Sequence, residues 1–399
     1  MSDTLFIEDI EVTGKRVLVR VDFNVPLDEQ GRITNDKRIA ASLPTIEYLV
    51  GHKAKVILMS HLGRPKGERK PRFSLSPVAE ELKKRLAAPV SFVEDCVGEK
   101  VAKAVEELAE GGVLLLENLR FYKEETDNDP TFAGRLAEIA DIYVNDAFGT
   151  AHRAHASTEG VTRHVARCAA GYLMKKELDY LGKALENPER PFVAVLGGAK
   201  ISGKIDVIRN LLEKVDSLIV GGAMAFTFEK AQGKEIGKSL LEEDKLDLAA
   251  DVLRQAEKEG KRLLLPVDYA ACAEISDDAP VKEVTAGEMP SDLLGVDIGP
   301  RTIELFGGEL RGARTIVWNG PMGVFEKERF ARGTFEIAKV LADCTAEGAT
   351  TIIGGGDSAS AISSAGLSDK VTHVSTGGGA SLEFLEGKRL PGIAALSSK

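Results

Sequence analysis

Cysteine is scarce in this 399-residue sequence, which holds only Cys96, Cys168, Cys272 and Cys344, widely spaced and with no CxxC pair. That argues against a disulfide framework and against a zinc ribbon, and leaves buried thiols as the expectation. No apolar run approaches the roughly 20 residues needed to span a bilayer, and the opening MSDTLFIEDI lacks the basic flank and apolar core of a secretory signal. A soluble, cytoplasmic protein with no membrane partner is therefore expected. Basic charge is also in deficit: 52 lysines and arginines face 62 acids, for a formal net charge of −10. A general nucleic-acid binder needs a basic surface to displace counterions, so nucleic acid is not an expected partner, and any anion site must be local. Solenoid-type repeats, low-complexity segments and an obvious Ser-His-Asp or Cys-His pairing are missing too.

What is present is alternation. Short apolar runs at Val17–Val21, Val56–Met59, Val113–Leu116 and Ile142–Val144 are separated by helix-like segments such as Asp36–Val50, Pro77–Leu86 and Pro130–Ala140, whose apolar residues recur at three- and four-residue intervals. The second half repeats the theme at Phe192–Leu196, Leu218–Val220, Leu263–Leu265, Thr315–Trp318, Thr350–Ile353 and Val371–Val374. Such a pattern, in a chain too long for one hydrophobic core, predicts an α/β protein of two doubly wound parallel-sheet, Rossmann-like domains with a cleft between them. Leucines at 173, 178, 181 and 185 mark a connector helix ending at Asn187-Pro188. The expected boundaries are 1–171, a connector over 172–187, and 188–389.

Ligands of open parallel sheets bind beyond the carboxyl ends of the strands. In the first half those positions carry Asp22 and Asn24, His61 and Arg64 in SHLGRP, Arg120 in ENLRF, and Asp146, His152, Arg153 and His155 in NDAFGTAHRAH, with Arg38 reaching in from a helix start. The arginine fork donates paired hydrogen bonds to carboxylate or phosphate and stays charged. Any one arginine alone reads as a solvated surface residue, but four separate loops converging favour an anion site. In the second half the strands end in Gly197-Gly198, Gly221-Gly222, Gly354–Gly356 and Gly377–Gly379. One glycine pair makes only a tight turn; four in one sheet favour phosphate held by backbone amides at helix starts. Lys200 and Lys204 can neutralise phosphate oxygens, and Asp357 is a natural ligand for a magnesium carried by a nucleotide. Asn319 and Glu326 flank a loop containing Pro321, where one would touch phosphate and the other ribose.

Two glycine patterns mislead. Gly198-x4-Gly203-Lys204 nearly spells a P-loop, yet Ile205 stands where Ser or Thr would bind magnesium. Gly354–Ala359 fits a loose dinucleotide fingerprint without the acidic residue some 20 positions on that would bind ribose.

Taken together, VRVDFNVP, SHLGRP, ENLRF, NDAFGTAHRAH, LGGAK with GKID, WNGPMGVFE and GGGDS resemble the phosphoglycerate kinase family, in order and spacing, over essentially the whole chain. The resemblance implies reversible phosphoryl transfer between 1,3-bisphosphoglycerate and ADP, giving 3-phosphoglycerate and ATP, with Mg2+ on the nucleotide, in a monomer that bends at a hinge. It implies that Asp22, Asn24, Arg38, His61, Arg64, Arg120 and Arg153 hold the phosphoglycerate, and that Arg38 also meets the transferring group. Lys200, Lys204, Asn319, Glu326 and the Gly355, Gly356, Asp357, Ser358 turn would hold the nucleotide, with adenine near Gly221, Gly222 and Val324. Gly377, Gly378 and Gly379 would face the phosphoryl group in transit, and the tail 390–399 would fold back onto the first domain. The chemistry is consistent: a carboxylate acceptor is already ionised at neutral pH, so no general base is required. A P-loop kinase or ligase acting on another phosphorylated acid, and a non-catalytic sugar-phosphate-binding module, remain the alternatives.

Overall fold

A computed structural model of the chain describes residues 4–399, whose contacts separate into two compact units. One runs through Asp179 and resumes over Arg389–Lys399; the other is Tyr180–Lys388.

In the first unit, β1 (Arg16–Arg20), β2 (Lys55–Met59), β3 (Val90–Val93), β4 (Val113–Leu116), β5 (Ile142–Asn145) and β6 (Cys168–Ala170) form one sheet in the order β3-β4-β2-β1-β5-β6. Every pairing is parallel. Alternate side chains of the central strands face opposite cores. Val17, Val19, Val56 and Leu58 pack under Ile39, Ile46 and Leu49 of the helix Lys37–Gly51 and Val78 and Leu82 of the helix Ser76–Arg85. Leu18, Ile57 and Met59 pack on the other side, against Val101 and Val105 of Glu99–Glu106 and Phe132 and Leu136 of Pro130–Ala137. Burial on both faces is why these strands read as continuous apolar runs. The order reverses around β1, so the loops after β1, β2, β4 and β5 open at one edge of the sheet.

The second unit contains β7 (Phe192–Leu196), β8 (Ser217–Val220), β9 (Glu235–Ile236), β10 (Arg262–Leu264), β11 (Asp268–Cys272), β12 (Lys282–Thr285), β13 (Glu288–Met289), β14 (Leu294–Ile298), β15 (Thr315–Asn319), β16 (Thr350–Gly354) and β17 (His373–Val374). Six of them make a second all-parallel sheet, β10-β8-β7-β15-β16-β17. The two parallel sheets match the expected fold class. Strands β3 and β6, and the antiparallel sheet β12-β11-β14, were not expected from the sequence.

The connector departs from a uniform helix. It is α-helical over Tyr172–Glu177, widens into a π-helical turn over Leu178–Gly182, and resumes as α-helix over Lys183–Glu186. Asp146, directly after β5, caps its first turn: Oδ1 accepts from the amides of Leu173 at 2.9 Å and Met174 at 3.2 Å. Asp146 thus serves the connector rather than the neighbouring cations. The last residues join the first unit's opening segment: Leu5 N donates to the Ser397 carbonyl at 2.8 Å, and Ser397 N to the Cys168 carbonyl at 2.8 Å.

Candidate active site

The β1 loop holds Asp22, paired with Arg38 of the second helical position in Lys37–Gly51, and Asn24, whose Oδ1 accepts from Gly63 N at 2.8 Å. The β2 loop carries His61 and Arg64. Below them Asn118 works as a clamp: its amide donates to the carbonyls of Leu62 (2.7 Å) and Phe73 (2.9 Å), and its oxygen accepts from Leu62 N (3.1 Å) and Arg120 N (3.0 Å). Arg120 in turn donates to the Gly63 carbonyl at 2.9 Å, while its buried Nε has no partner among the described residues. Arg153 and His152 touch one another, Nε to Nε2, at 3.2 Å. Arg64, Lys66, Arg120, Lys123, Arg153 and His155 line a pocket of about 480 Å³ together with Gly67, Tyr122 and Thr126, and no carboxylate lines it.

Packing cations together has electrostatic consequences. Burial, then the charges of Arg20 and Arg153, pull the Arg120 guanidinium down to about 10. Burial followed by Arg120, Arg20 and Arg153 lowers His155 to about 4, and His61 is held well below its ordinary range by burial and by Arg20, Arg120, Arg38 and Arg153. Both imidazoles are neutral at pH 7, so the 3.8 Å approach of His155 Nδ1 to Glu125 is not an ion pair there. The cluster carries mutual repulsion that a bound anion would relieve.

In the second unit the glycine turns close on each other. A β-carbon on Gly222 would lie 2.4 Å from Gly198 N, and one on Gly197 would lie 2.1 Å from the Pro321 carbonyl, so only glycine permits this approach. A pocket of about 220 Å³ follows, lined by Gly198, Ala199, Gly222, Pro321, Met322, Gly323, Val324, Glu326 and Asp357, and also by Phe226, Tyr269, Gly295, Val296 and Asp297. Lys204 Nζ donates to the carbonyl oxygen (2.7 Å) and Oδ1 (2.6 Å) of Asn319, and burial, opposed by Asp357, pulls the ammonium down to about 7. The buried Asn319 Nδ2 has no partner among the described residues. Lys200, Gly356 and Asp357 are exposed. Helix Gly356–Ser364, with Gly355 as its cap at φ +90°, and helix Gly378–Leu385, with Gly377 as its cap, start side by side. A β-carbon on Gly378 would be 3.6 Å from Gly356 N, and Ser381 Oγ accepts from Gly355 N at 3.1 Å. Two positive helix ends thus meet beside Asp357. Ser358 differs from expectation: its hydroxyl is buried and accepts from Gly320 N at 2.5 Å, so it shapes the turn. The near-P-loop ends with Lys204 capping a helix that begins at Ile205.

Of the expected residues, Arg64, Arg120, Arg153 and His155 line the first pocket while Asp22, Asn24, Arg38, His61 and His152 do not, and Gly198, Gly222, Pro321, Val324, Glu326 and Asp357 line the second while Lys200, Lys204, Asn319 and the glycines of the two helix starts do not. Gly221 sits behind its pocket, where a β-carbon would meet Met322 Sδ at 2.5 Å. Sequence reasoning missed Arg20, Asn118, Glu125 and Ser157 below the first pocket, and Phe226, Tyr269, Val296 and Asp297 in the second. Of these only Arg20 left a signal, a charge inside the otherwise apolar run Val17–Val21.

A cation-lined pocket on one doubly wound unit and a glycine-turn pocket near converging helix starts on the other are both suited to anionic, phosphate-bearing ligands. The sequence profile described as phosphoglycerate kinase matches residues 7–388. Curated relatives called phosphoglycerate kinase include those of Chlorobium chlorochromatii, 60% identical over 98% of this chain and 99% of the relative, and Chlorobaculum tepidum, 61% identical over 98% of each. The solved phosphoglycerate kinase of Coxiella burnetii superposes with a TM-score of 0.91 at 44% identity, covering 98% of both chains. The chain belongs to the phosphoglycerate kinase family, and is by that membership a kinase with a carboxyl group as acceptor.

Proposed function

We propose that the protein catalyses Mg2+-dependent, reversible phosphoryl transfer between 1,3-bisphosphoglycerate and ADP, giving 3-phosphoglycerate and ATP, by direct in-line transfer. The observation that carries the substrate side is the first pocket's lining of Arg64, Lys66, Arg120, Lys123 and Arg153 without a carboxylate, which suits a ligand bearing both phosphate and carboxylate. Asp22, Asn24, Arg38, His61 and His152 complete that side. On the nucleotide side Gly222, Pro321 and Val324 would contact the base and Glu326 the ribose. Lys200, Lys204, Asn319 and the two helix starts at Gly355–Gly356 and Gly377–Gly379 would take the phosphates.

Among the described residues no group of three or more His, Cys, Asp or Glu is placed to hold a metal. That suits a magnesium arriving on the nucleotide's phosphates and meeting a single protein carboxylate, Asp357. When bound, the ion would neutralise charge on the transferring phosphate. Arg38, Lys200 and Lys204 would do the same from the protein side, and the acceptor carboxylate needs no base.

Transfer requires the two substrates to meet, so domain closure that expels water is part of the proposal. X-ray scattering should give a smaller radius with both substrates than with either alone. The same reading makes the protein a cytoplasmic monomer, and no helix among the described residues is long and apolar enough to cross a membrane. A coupled assay for ATP formation from 1,3-bisphosphoglycerate and Mg-ADP tests the reaction. Arg38→Ala and Lys204→Ala should each lower turnover about a hundredfold or more with the fold retained. A folded wild type without activity would overturn the proposal.

A further inference from the structure

Arg20 ends β1 wholly buried, and its guanidinium is used on three sides. Nη1 donates to the Val21 carbonyl, Nε to Ser157 Oγ at 2.8 Å, and Nη2 approaches His61 Nδ1 at 3.1 Å. Ser157 passes the contact on: its hydroxyl donates to Glu125 Oε1 at 2.6 Å, and its amide to Glu125 Oε2 at 2.9 Å. Glu125 and Ser157 are themselves completely buried. The chain Glu125–Ser157–Arg20–His61 therefore runs from a buried carboxylate to the ring beside the cation pocket. A buried guanidinium needs such a counter-charge, and its removal would leave an uncompensated ion.

The chemistry of the last link is one-sided. Guanidinium has donors only, so His61 Nδ1 must be the acceptor and the ring proton must sit on Nε2. We propose that Arg20, neutralised through Ser157 by Glu125, is a positioning residue that locks His61 as the Nε2–H tautomer and makes it a neutral hydrogen-bond donor to the bound phosphoglycerate. Four guanidiniums, Arg20, Arg120, Arg38 and Arg153, act on the ring, and with its burial they keep it from becoming a fifth cation. A protonated His61 would lose the Arg20 bond, because both partners would then be donors. The catalytic consequence rests on the phosphoglycerate reading above; the tautomer does not.

Nitrogen-15 spectra of histidine-labelled protein decide the first part, with His61→Gln assigning the resonance among the six histidines. At pH 7 the wild type should show an imine-type Nδ1 and a protonated Nε2 at His61, unchanged on mild acidification. Arg20→Gln should mix the tautomers and bring protonation of the ring closer to neutral pH, while Arg20→Lys, which keeps a charge and a donor, should preserve the wild-type form. In the kinase assay Arg20→Gln should raise the KM for 3-phosphoglycerate about tenfold, the loss of roughly one hydrogen bond, with the KM for ATP unchanged. A wild-type His61 protonated on Nδ1 overturns the proposal even if Arg20→Gln fails to fold. An altered tautomer with an unchanged KM for 3-phosphoglycerate overturns its catalytic part. An inactive wild type with the expected tautomer would instead sink the functional reading and leave the lock standing.

Discussion

Gly222 and Gly366 share nearly the same left-handed backbone, with φ of +66° and +69°, and differ in their surroundings. A β-carbon at 222 would meet Gly198 N at 2.4 Å, Gly198 O at 2.6 Å and Pro321 O at 2.9 Å, whereas at 366 it would find nothing within 4 Å. A non-glycine residue in this conformation costs about 1–2 kcal/mol, and overpacking adds about 1–3 kcal/mol. Because the neighbours of Gly222 are backbone, they have no side-chain rotation to yield. Gly366→Ala should thus lose about 1–2 kcal/mol and Gly222→Ala about 2–5 kcal/mol. At about 2–4 °C per kcal/mol for a unit of this size, melting should fall by roughly 5 °C and roughly 10 °C respectively. Gly198 and Gly222 also line one pocket, so Gly222→Ala should raise the nucleotide KM, while Gly366→Ala leaves it alone. Calorimetry and steady-state kinetics on the two purified variants provide the comparison. Equal melting losses together with an unchanged nucleotide KM in Gly222→Ala would refute the reasoning.

Burial raises the Asp146 carboxyl from 3.8 to about 6. Between about pH 4 and 6 the folded protein holds a proton that the unfolded chain has released, so stability falls as pH rises through that window, by about 3 kcal/mol in total. Asp146→Asn keeps an acceptor for the Leu173 amide without the charge, and melting curves across pH 4–7 should be flatter in the variant. Asn118→Ala removes all four bonds of the clamp and should cost about 3–5 kcal/mol in urea unfolding. Since the clamp holds both Leu62 and Arg120, the same variant should raise the KM for 3-phosphoglycerate with the nucleotide KM unchanged.

The parallel sheets were legible because their central strands are buried on both faces and therefore apolar throughout. The missed elements break that condition. Strand β3 lies at the sheet edge with Ser91 exposed between half-buried Val90 and Phe92, and β6 is Cys-Ala-Ala, too short and small to stand out as a run. Lys282–Thr285 of the antiparallel sheet is largely solvent-facing and carries Lys282 and Glu283. For the pockets, strand-end position supplied the cations and glycines, because loop residues at a sheet's carboxyl edge converge whatever their distance in sequence. The supports beneath them had no such address. Glu125 sits in a short helix beside Glu124, and nothing local says which of the two is buried. Tyr269 and Asp297 come from β11 and β14, strands the sequence pattern did not reveal.

The pairing of Thr4 with Ser398, and of Ser397 with Leu5 and Cys168, has a consequence for synthesis. The first unit takes residues from both sides of the second in sequence, whereas Tyr180–Lys388 is one uninterrupted stretch. Cys168 lies 229 residues before the Ser397 it pairs with, so on a ribosome this edge of the first unit is made early and cannot be paired until the whole of the second unit has been made. A truncation before Arg389 would keep every residue of Tyr180–Lys388 and remove the Ser397 and Ser398 partners of Leu5, Cys168 and Thr4, so a loss on that side weakens the unit made first rather than the one made later.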